Sequence, residues 1–311
     1  MHDLTRQIKD LAYKAGFHKV GITAARQPQK SEFLGQWLKM NYHGSMHWMQ
    51  NYADRRQDIH KLMPDAHSVI CVAHNYFTAE KHSSDAGHGK ISRYAWGRDY
   101  HKVMKKKLKT LLLEIKRLDP TIEGRLCVDT APLMEKLWAE QAGIGWQGKH
   151  STLITREYGS WVFLAEIIIS KELRYDNPAQ DMCGSCSACI RACPTHAITQ
   201  PYVVDANKCI SYLTIEYREK QIPASLAEKM DNWIFGCDIC QDVCPWNRFQ
   251  KVTDEKAYHP QTDRIAPELL SLVELDEAGY KKKYKNSPIS RPGWENFIRT
   301  VRIVLNQNSS E

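Results

Sequence analysis

Eight of this chain's ten cysteines fall into two groups whose spacing leaves few chemistries open. Cys183, Cys186, Cys189 and Cys193 run C-x2-C-x2-C-x3-C with Pro194 behind them. Cys237, Cys240 and Cys244 run C-x2-C-x3-C with Pro245 behind, and Cys209 stands alone upstream. The first run has the intervals of bacterial two-cluster ferredoxins, in which the fourth cysteine ligates the other cluster. The second is the same pattern with its first ligand displaced. Two [4Fe–4S] clusters need eight thiolates. The wiring that follows is Cys183, Cys186, Cys189 and Cys244 on one cluster, with Cys209, Cys237, Cys240 and Cys193 on the other. Zinc sites also use C-x2-C pairs, but four thiolates packed this tightly do not suit an ordinary knuckle. A disulfide framework belongs to small exported domains, whereas this chain has 311 residues. Cys71, inside Ser68–Ala73, reads as core packing, and Cys127 stands two residues before an aspartate of interest.

With 42% hydrophobic and 10% aromatic residues the chain can build a folded core. Its longest apolar run, Trp161 to Ser170, is broken by Glu166 and too short to span a membrane. Residues 1–22 read as a helix and a strand rather than a presequence, so a cytoplasmic protein is expected. The net charge of +7 is unevenly placed, with Lys105, Lys106, Lys107 and Lys109 in one block and Lys281, Lys282, Lys283 and Lys285 in another. Such blocks attract polyanions, and they make a nucleic-acid substrate worth considering.

Leu4 to Ala15 has helical periodicity and stops at Gly16, and Val20 to Ile22, Ser68 to Val72 and Trp161 to Ile169 read as strands. Lys102 to Leu118 reads as a helix with Val103, Leu108, Leu111, Leu112 and Ile115 inward. Thr130 and Pro132 suggest a helix start, and Gly143 its end. The reading is α+β: an α/β catalytic domain over 1–175, a ferredoxin-like domain over 176–255 and a basic helical tail over 256–311. Residues 210–236 should form a helix and a loop reaching back to the first domain.

Clusters relay electrons, so another site must use them. Asp129 follows apolar Val128, and a buried aspartate that keeps its proton by desolvation can act as a general acid. The segment Ser92 to His101 (SRYAWGRDYH) mixes aromatic and polar groups as a binding surface does. Gly143 to Gly148 resembles a dinucleotide fingerprint but follows a helix and contains Trp146. It reads instead as a turn bringing backbone close to a large flat cofactor, with Lys149 and His150 beside it. His43 and His47 have i, i+4 spacing that could hold a metal on a helix.

These pieces, with VDTAP from Val128, GIGWQGKH from Gly143, YGSWVFLAE from Tyr158, CISYLTIEYR from Cys209 and FGCDICQDVCPWN from Phe235, resemble the epoxyqueuosine reductases along nearly the whole chain. The resemblance implies a cobalamin-binding α/β domain similar to those of reductive dehalogenases and nitroreductases, joined to a two-cluster ferredoxin-like domain. The implied reaction reduces epoxyqueuosine at the wobble position (34) of tRNAs with GUN anticodons, by Co(I)-mediated epoxide opening and loss of water. It implies base-off cobalamin, Asp129 as proton donor, and Tyr94, His150, Ser211 and Tyr212 against the cofactor. Lys105, Lys106, Lys107 and Arg218 are expected to hold tRNA, and a low-potential flavodoxin or ferredoxin to feed a monomer. Many members continue into HEAT-like helices, so this chain reads as a short form; His150 stands where many relatives have asparagine.

Overall fold

The structure is a computed structural model that describes residues 2–28 and 30–308. Its central sheet has four antiparallel strands, β1 (Lys19–Ala24), β2 (Ser68–Asn75), β3 (Gly124–Cys127) and β4 (Val162–Ile169), in the order β1–β2–β4–β3. Every residue of β2 is buried, because helices cover both faces of the sheet. Ile70, Val72, Ile167 and Ile169 face α1 (His2–Lys14) and α2 (Tyr100–Leu118). Val69, Cys71 and Ile168 face Trp138 and Ala139 of α3 (Glu135–Gln141). Cys71 is core, as its apolar surroundings suggested.

The helix α2 shows how sequence becomes position. Asp99 caps it, accepting the His101 N–H at 3.0 Å. Met104, Leu108, Leu111 and Ile115 bury one stripe, each side chain stabilising the fold by roughly 1.5–3 kcal/mol. Lys105, Lys106 and Lys109 are left on the exposed side.

Three expectations need correction. The strand Gly124–Cys127 was not foreseen, because Gly124 and Arg125 interrupt any apolar run and only pairing to β4 makes it a strand. The helix expected from Thr130 starts at Glu135. Pro132 disfavours helical backbone at Ala131, and Asp129 is left-handed at φ 46°. Residues 129–134 are therefore a loop, and Asp129 caps nothing. Gly143 ends α3 as anticipated, at φ 74°, where a Cβ would lie 2.6 Å from the Asn177 carbonyl oxygen. Gly145, however, is small for a different reason: its Cβ would lie 2.1 Å from the Ile154 oxygen across the hairpin Trp146–Gln147/Leu153–Ile154. The glycine-rich turn brings backbone to backbone.

In the cysteine-rich region α4 (Ala188–Ala192) packs on α6 (Ile239–Asp242). Between the cysteine groups, α5 (Ile210–Ile215) is followed by strand Trp233–Phe235, which pairs in parallel with Lys90–Ile91. The segment does reach back to the N-terminal half. The C-terminal residues are packed in as well: Phe297, Val301 and Val304 of α7 (Trp294–Asn308) bury against Ile91, Trp96, Ile234 and Phe235.

Candidate active site and metal centres

The loop after β3 sets Asp129 against the start of α2. His101 donates from both ring nitrogens, its Nδ1 2.7 Å from Asp99 Oδ1 and its Nε2 2.9 Å from Asp129 Oδ2. Burial alone would push the His101 imidazole down, but bonds to Asp129 and Asp99 prevail and raise it to about 9. It is an imidazolium at neutral pH. Asp129 is pushed up by burial, yet His101 and the Tyr100 hydroxyl hold it below the usual carboxylate range. The expectation that Asp129 keeps its own proton is thus reversed, because the proton sits on its partner. Tyr100 is fixed by stacking between His101 (4.0 Å) and Phe163 (4.2 Å). Glu135 accepts the Asp129 backbone N–H at 2.5 Å, and burial with the Asp129 charge raises its carboxyl to about 8. Asp129 is 52% exposed at its side chain although protein surrounds it on most sides. Its open side leaves the carboxylate accessible to a ligand.

Other site residues arrive from distant parts of the chain. Tyr94 is a half-buried phenol whose pKa is raised by desolvation and then by Asp129 and Asp238. Arg291, gripped by Glu216 at 2.8 and 3.2 Å, adds a positive charge felt by Asp129. His150 is 5% exposed; its Nδ1 accepts the Thr152 N–H at 3.1 Å, and its Nε2 is buried without a partner. Burial, with Lys136 nearby, lowers that imidazole to about 4, so Nε2 carries the hydrogen of a neutral ring.

The remaining sequence-derived residues lie elsewhere or are engaged. The Tyr212 hydroxyl bonds Ser45 N and Oγ, both at 2.7 Å, and Ser211 beside it is half-buried. Arg218 donates to the carbonyls of Ile215, Arg291 and Pro292, stapling the C-terminal segment to α5. Lys107 pairs with Glu255 at 2.9 Å and reaches the Ala15 carbonyl. His43 precedes the helix His47–Asn51, and the two rings lie 6.3 Å apart, so the i, i+4 arrangement does not form.

The cysteines of the two motifs are brought together. Cys183, Cys186 and Cys189 all act electrostatically on Cys244. Cys209 and Cys193 act on Cys240, as does Cys189. Asp238 holds the second motif in place: it accepts from Ser92 Oγ at 2.5 Å and Arg93 N at 2.8 Å. Burial lowers the Lys136 pKa while Glu135, Asp129 and Cys240 all oppose the shift, so the Cys240 group and the proton-holding site lie within electrostatic reach of one lysine.

Sequence reasoning passed over Glu135, Arg291 and the pairing of Asp99 with His101. Glu135 was hidden inside a helix drawn too long. Arg291 stood in the Arg291-Pro292-Gly293 break, read only as an interruption. Asp99 and His101 were within the aromatic–polar string, but only folding shows their alignment with Asp129.

One-electron carriers built against a site that holds and moves protons make this an iron–sulfur oxidoreductase. Residues 182–247 match the 4Fe-4S double cluster binding domain, and residues 56–130 match the family described as Epoxyqueuosine reductase QueG, DUF1730. The epoxyqueuosine reductase of Synechocystis is 46% identical over 87% of this chain and 93% of its own length. That of Cyclobacterium marinum is 45% identical over 98% of each chain. A solved epoxyqueuosine reductase with a tRNA-Tyr epoxyqueuosine-modified stem loop superposes with TM-score 0.90 at 30% identity, covering 98% of this chain and 82% of that one. The chain belongs to the epoxyqueuosine reductase family.

Proposed function

We propose that this chain reduces epoxyqueuosine to queuosine at the wobble position of tRNA, the last step in making that nucleoside. The Asp99–His101–Asp129 chain carries the reading, because it stores a proton where an epoxide oxygen needs one. Conversion of the epoxide to an alkene consumes two electrons and two protons and releases water. The support is the family membership together with a relative solved with its modified stem loop.

The residues present fit a corrinoid. The orphaned His150 Nε2–H, the half-buried Tyr94 and Lys136 offer polar contacts beside Asp129, suited to the amide-bearing rim of such a ring. Bound cobalamin supplies the electron-accumulating centre that opens a strained ring, which no protein side chain provides. The chain's own contribution is proton handling and exclusion of water. At rest the Asp129 carboxylate is ionised beside the His101 imidazolium. A nucleoside covering the exposed side of Asp129 removes water from it, and desolvation disfavours its charge. The Nε2 proton then moves onto Asp129 Oδ2, and from that carboxyl to the oxygen of the opening epoxide. Asp99 keeps the imidazole oriented throughout, and Glu135 holds the Asp129 backbone in its left-handed turn.

Exposed Lys105, Lys106 and Lys109 offer the tRNA backbone phosphate contacts near the start of α2. Electrons enter from a low-potential flavodoxin or ferredoxin at the group containing exposed Cys186, and the protein works as a cytoplasmic monomer. No helix among the described residues is long and apolar enough to cross a membrane. The test is anaerobic turnover of epoxyqueuosine-containing tRNA followed by mass spectrometry of the nucleoside. Asp129→Asn keeps the shape but cannot take up the His101 proton and pass it on, so it should slow turnover by roughly 10²–10⁴-fold with clusters and corrinoid bound. Unimpaired turnover by the loaded variant would return Asp129 to a loop-shaping role.

A further inference from the structure

The hairpin Trp146–Gln147/Leu153–Ile154 grows from the catalytic half of the chain, yet its corner lies on the cysteine-rich half. Trp146 is 1% exposed, and its indole Nε1 is buried with no hydrogen-bond partner. An indole nitrogen only donates, so the group is waiting for an acceptor. The side chains packed around it are Ile154, Trp246, Met182, Cys183 and Cys244, and the acceptors among them are sulfurs. Cys183 is the one it acts on. Its sulfur faces two N–H groups of the hairpin, the Lys149 backbone N–H and the Trp146 indole N–H.

Lys149, three residues along the same hairpin, clamps the cysteine loop itself. Its ammonium donates to the Gly184 carbonyl at 2.5 Å and the Cys186 carbonyl at 2.8 Å. One short turn therefore brings two N–H groups and a positive charge to the group formed by Cys183, Cys186, Cys189 and Cys244. Nothing comparable is needed to build the fold, since the neighbouring Trp246 indole already donates to the Met182 carbonyl at 3.3 Å.

We propose that Trp146 donates its indole hydrogen to the Cys183 sulfur of the cluster held by Cys183, Cys186, Cys189 and Cys244, and with Lys149 raises that cluster's reduction potential. The inference rests on the reading of the eight cysteines as two four-iron clusters. Reduction adds one electron, whose charge spreads over iron and sulfur, and N–H donors or cations beside the sulfurs favour the reduced form. The electron comes from the external one-electron carrier and leaves towards the Cys240 group. The hairpin thus makes the outer cluster a better acceptor without supplying a ligand.

The test compares wild type, Trp146→Phe and Trp138→Phe, purified anaerobically and titrated with dithionite while the reduced clusters are followed by electron paramagnetic resonance. Trp138 is a suitable control, an equally buried indole that packs on the sheet instead. In Trp146→Phe one of the two midpoints should move to more negative potential and the other stay, while Trp138→Phe moves neither. Two unmoved midpoints in fully loaded Trp146→Phe would overturn the proposal. A second readout needs no substitution: wild type labelled with ¹⁵N-indole tryptophan should show ¹⁵N and exchangeable-proton couplings to one reduced cluster. Their absence would overturn the proposal even if Trp146→Phe failed to assemble. Wild-type iron far below eight atoms per chain would instead remove the two-cluster reading on which it rests.

Discussion

At the scale of single residues, the His101 imidazole and the Glu166 carboxyl group have lost their ordinary chemistry to their surroundings. His101 is raised from its usual value to about 9, so the stability of its pairing is complete below about 6.5 and is lost as pH rises through about 9. Turnover that draws on the imidazolium should fall over the same alkaline range, measured as single-turnover rates at saturating tRNA. His101→Gln should lower the rate and remove that alkaline limb. Glu166 has the opposite problem. It sits at 0% exposure in β4 between Cys71 and Cys127, and neither carboxyl oxygen has a partner among the described residues. Burial raises its pKa well above the usual range, so the folded protein carries it neutral. The unfolded chain ionises it above about pH 4.5, so stability falls with rising pH. Glu166→Gln should lose that dependence. Urea unfolding should therefore find the variant's stability relative to wild type higher at about pH 8 than at about pH 5.

Elements decide which of the charged residues are available. The lysine block of α2 reads as one unit in the sequence, but a helix turns 100° per residue and divides it. Lys105, Lys106 and Lys109 face solvent, while Lys107, 22% exposed, is locked to Glu255. Replacing the three exposed lysines together by alanine should weaken tRNA binding and flatten its salt dependence, by roughly one unit of log–log slope for each duplex phosphate no longer neutralised. Lys107→Ala should leave that slope unchanged and lower stability by up to about 1 kcal/mol, the scale of a partly exposed ion pair. Binding titrations at several salt concentrations and a thermal melt separate the two. The loop 129–134 makes the same point for the backbone. Its residues suit a helix start by type, but Pro132 and the Glu135 grip on Asp129 N–H give it a turn that aims Asp129 at His101.

Across the whole molecule, the cysteine-rich half and the sheet are locked by buried polar contacts rather than by a large apolar seam alone. Asn247 Oδ1 accepts the Ser160 N–H at 2.7 Å, and its Nδ2 donates to Ser160 Oγ at 3.0 Å. Asn247→Ala should leave the Ser160 N–H buried without that acceptor and destabilise the fold by about 1–3 kcal/mol, read from urea unfolding of the anaerobic protein. The expected crossing of ligands between motifs has a different signature. Cys193→Ala should damage the cluster shared with Cys209, Cys237 and Cys240 and spare the one held by Cys183, Cys186, Cys189 and Cys244, leaving about four irons per chain.

The amino-acid sequence by itself determined the parts whose chemistry is local. Cysteine intervals point to cluster ligands because most of the ligands of such a cluster lie close together in the chain, with the remaining one offered by the matching group. The apolar runs 68–72 and 161–169 specify buried strands because nothing else hides so many β-branched residues. Asp129 could be picked out, but not its protonation. That state depends on His101, 28 residues earlier, and on Asp99, Tyr100, Glu135 and Arg291, none of which carries a pattern pointing to it. The edge strand Gly124–Cys127 was equally illegible, since its conformation comes from hydrogen bonds to β4 and not from its own residues. Only tertiary structure places charges from separate segments within a few ångströms of one another. There each one's proton affinity is set by the others, and that arrangement decided where the proton is kept.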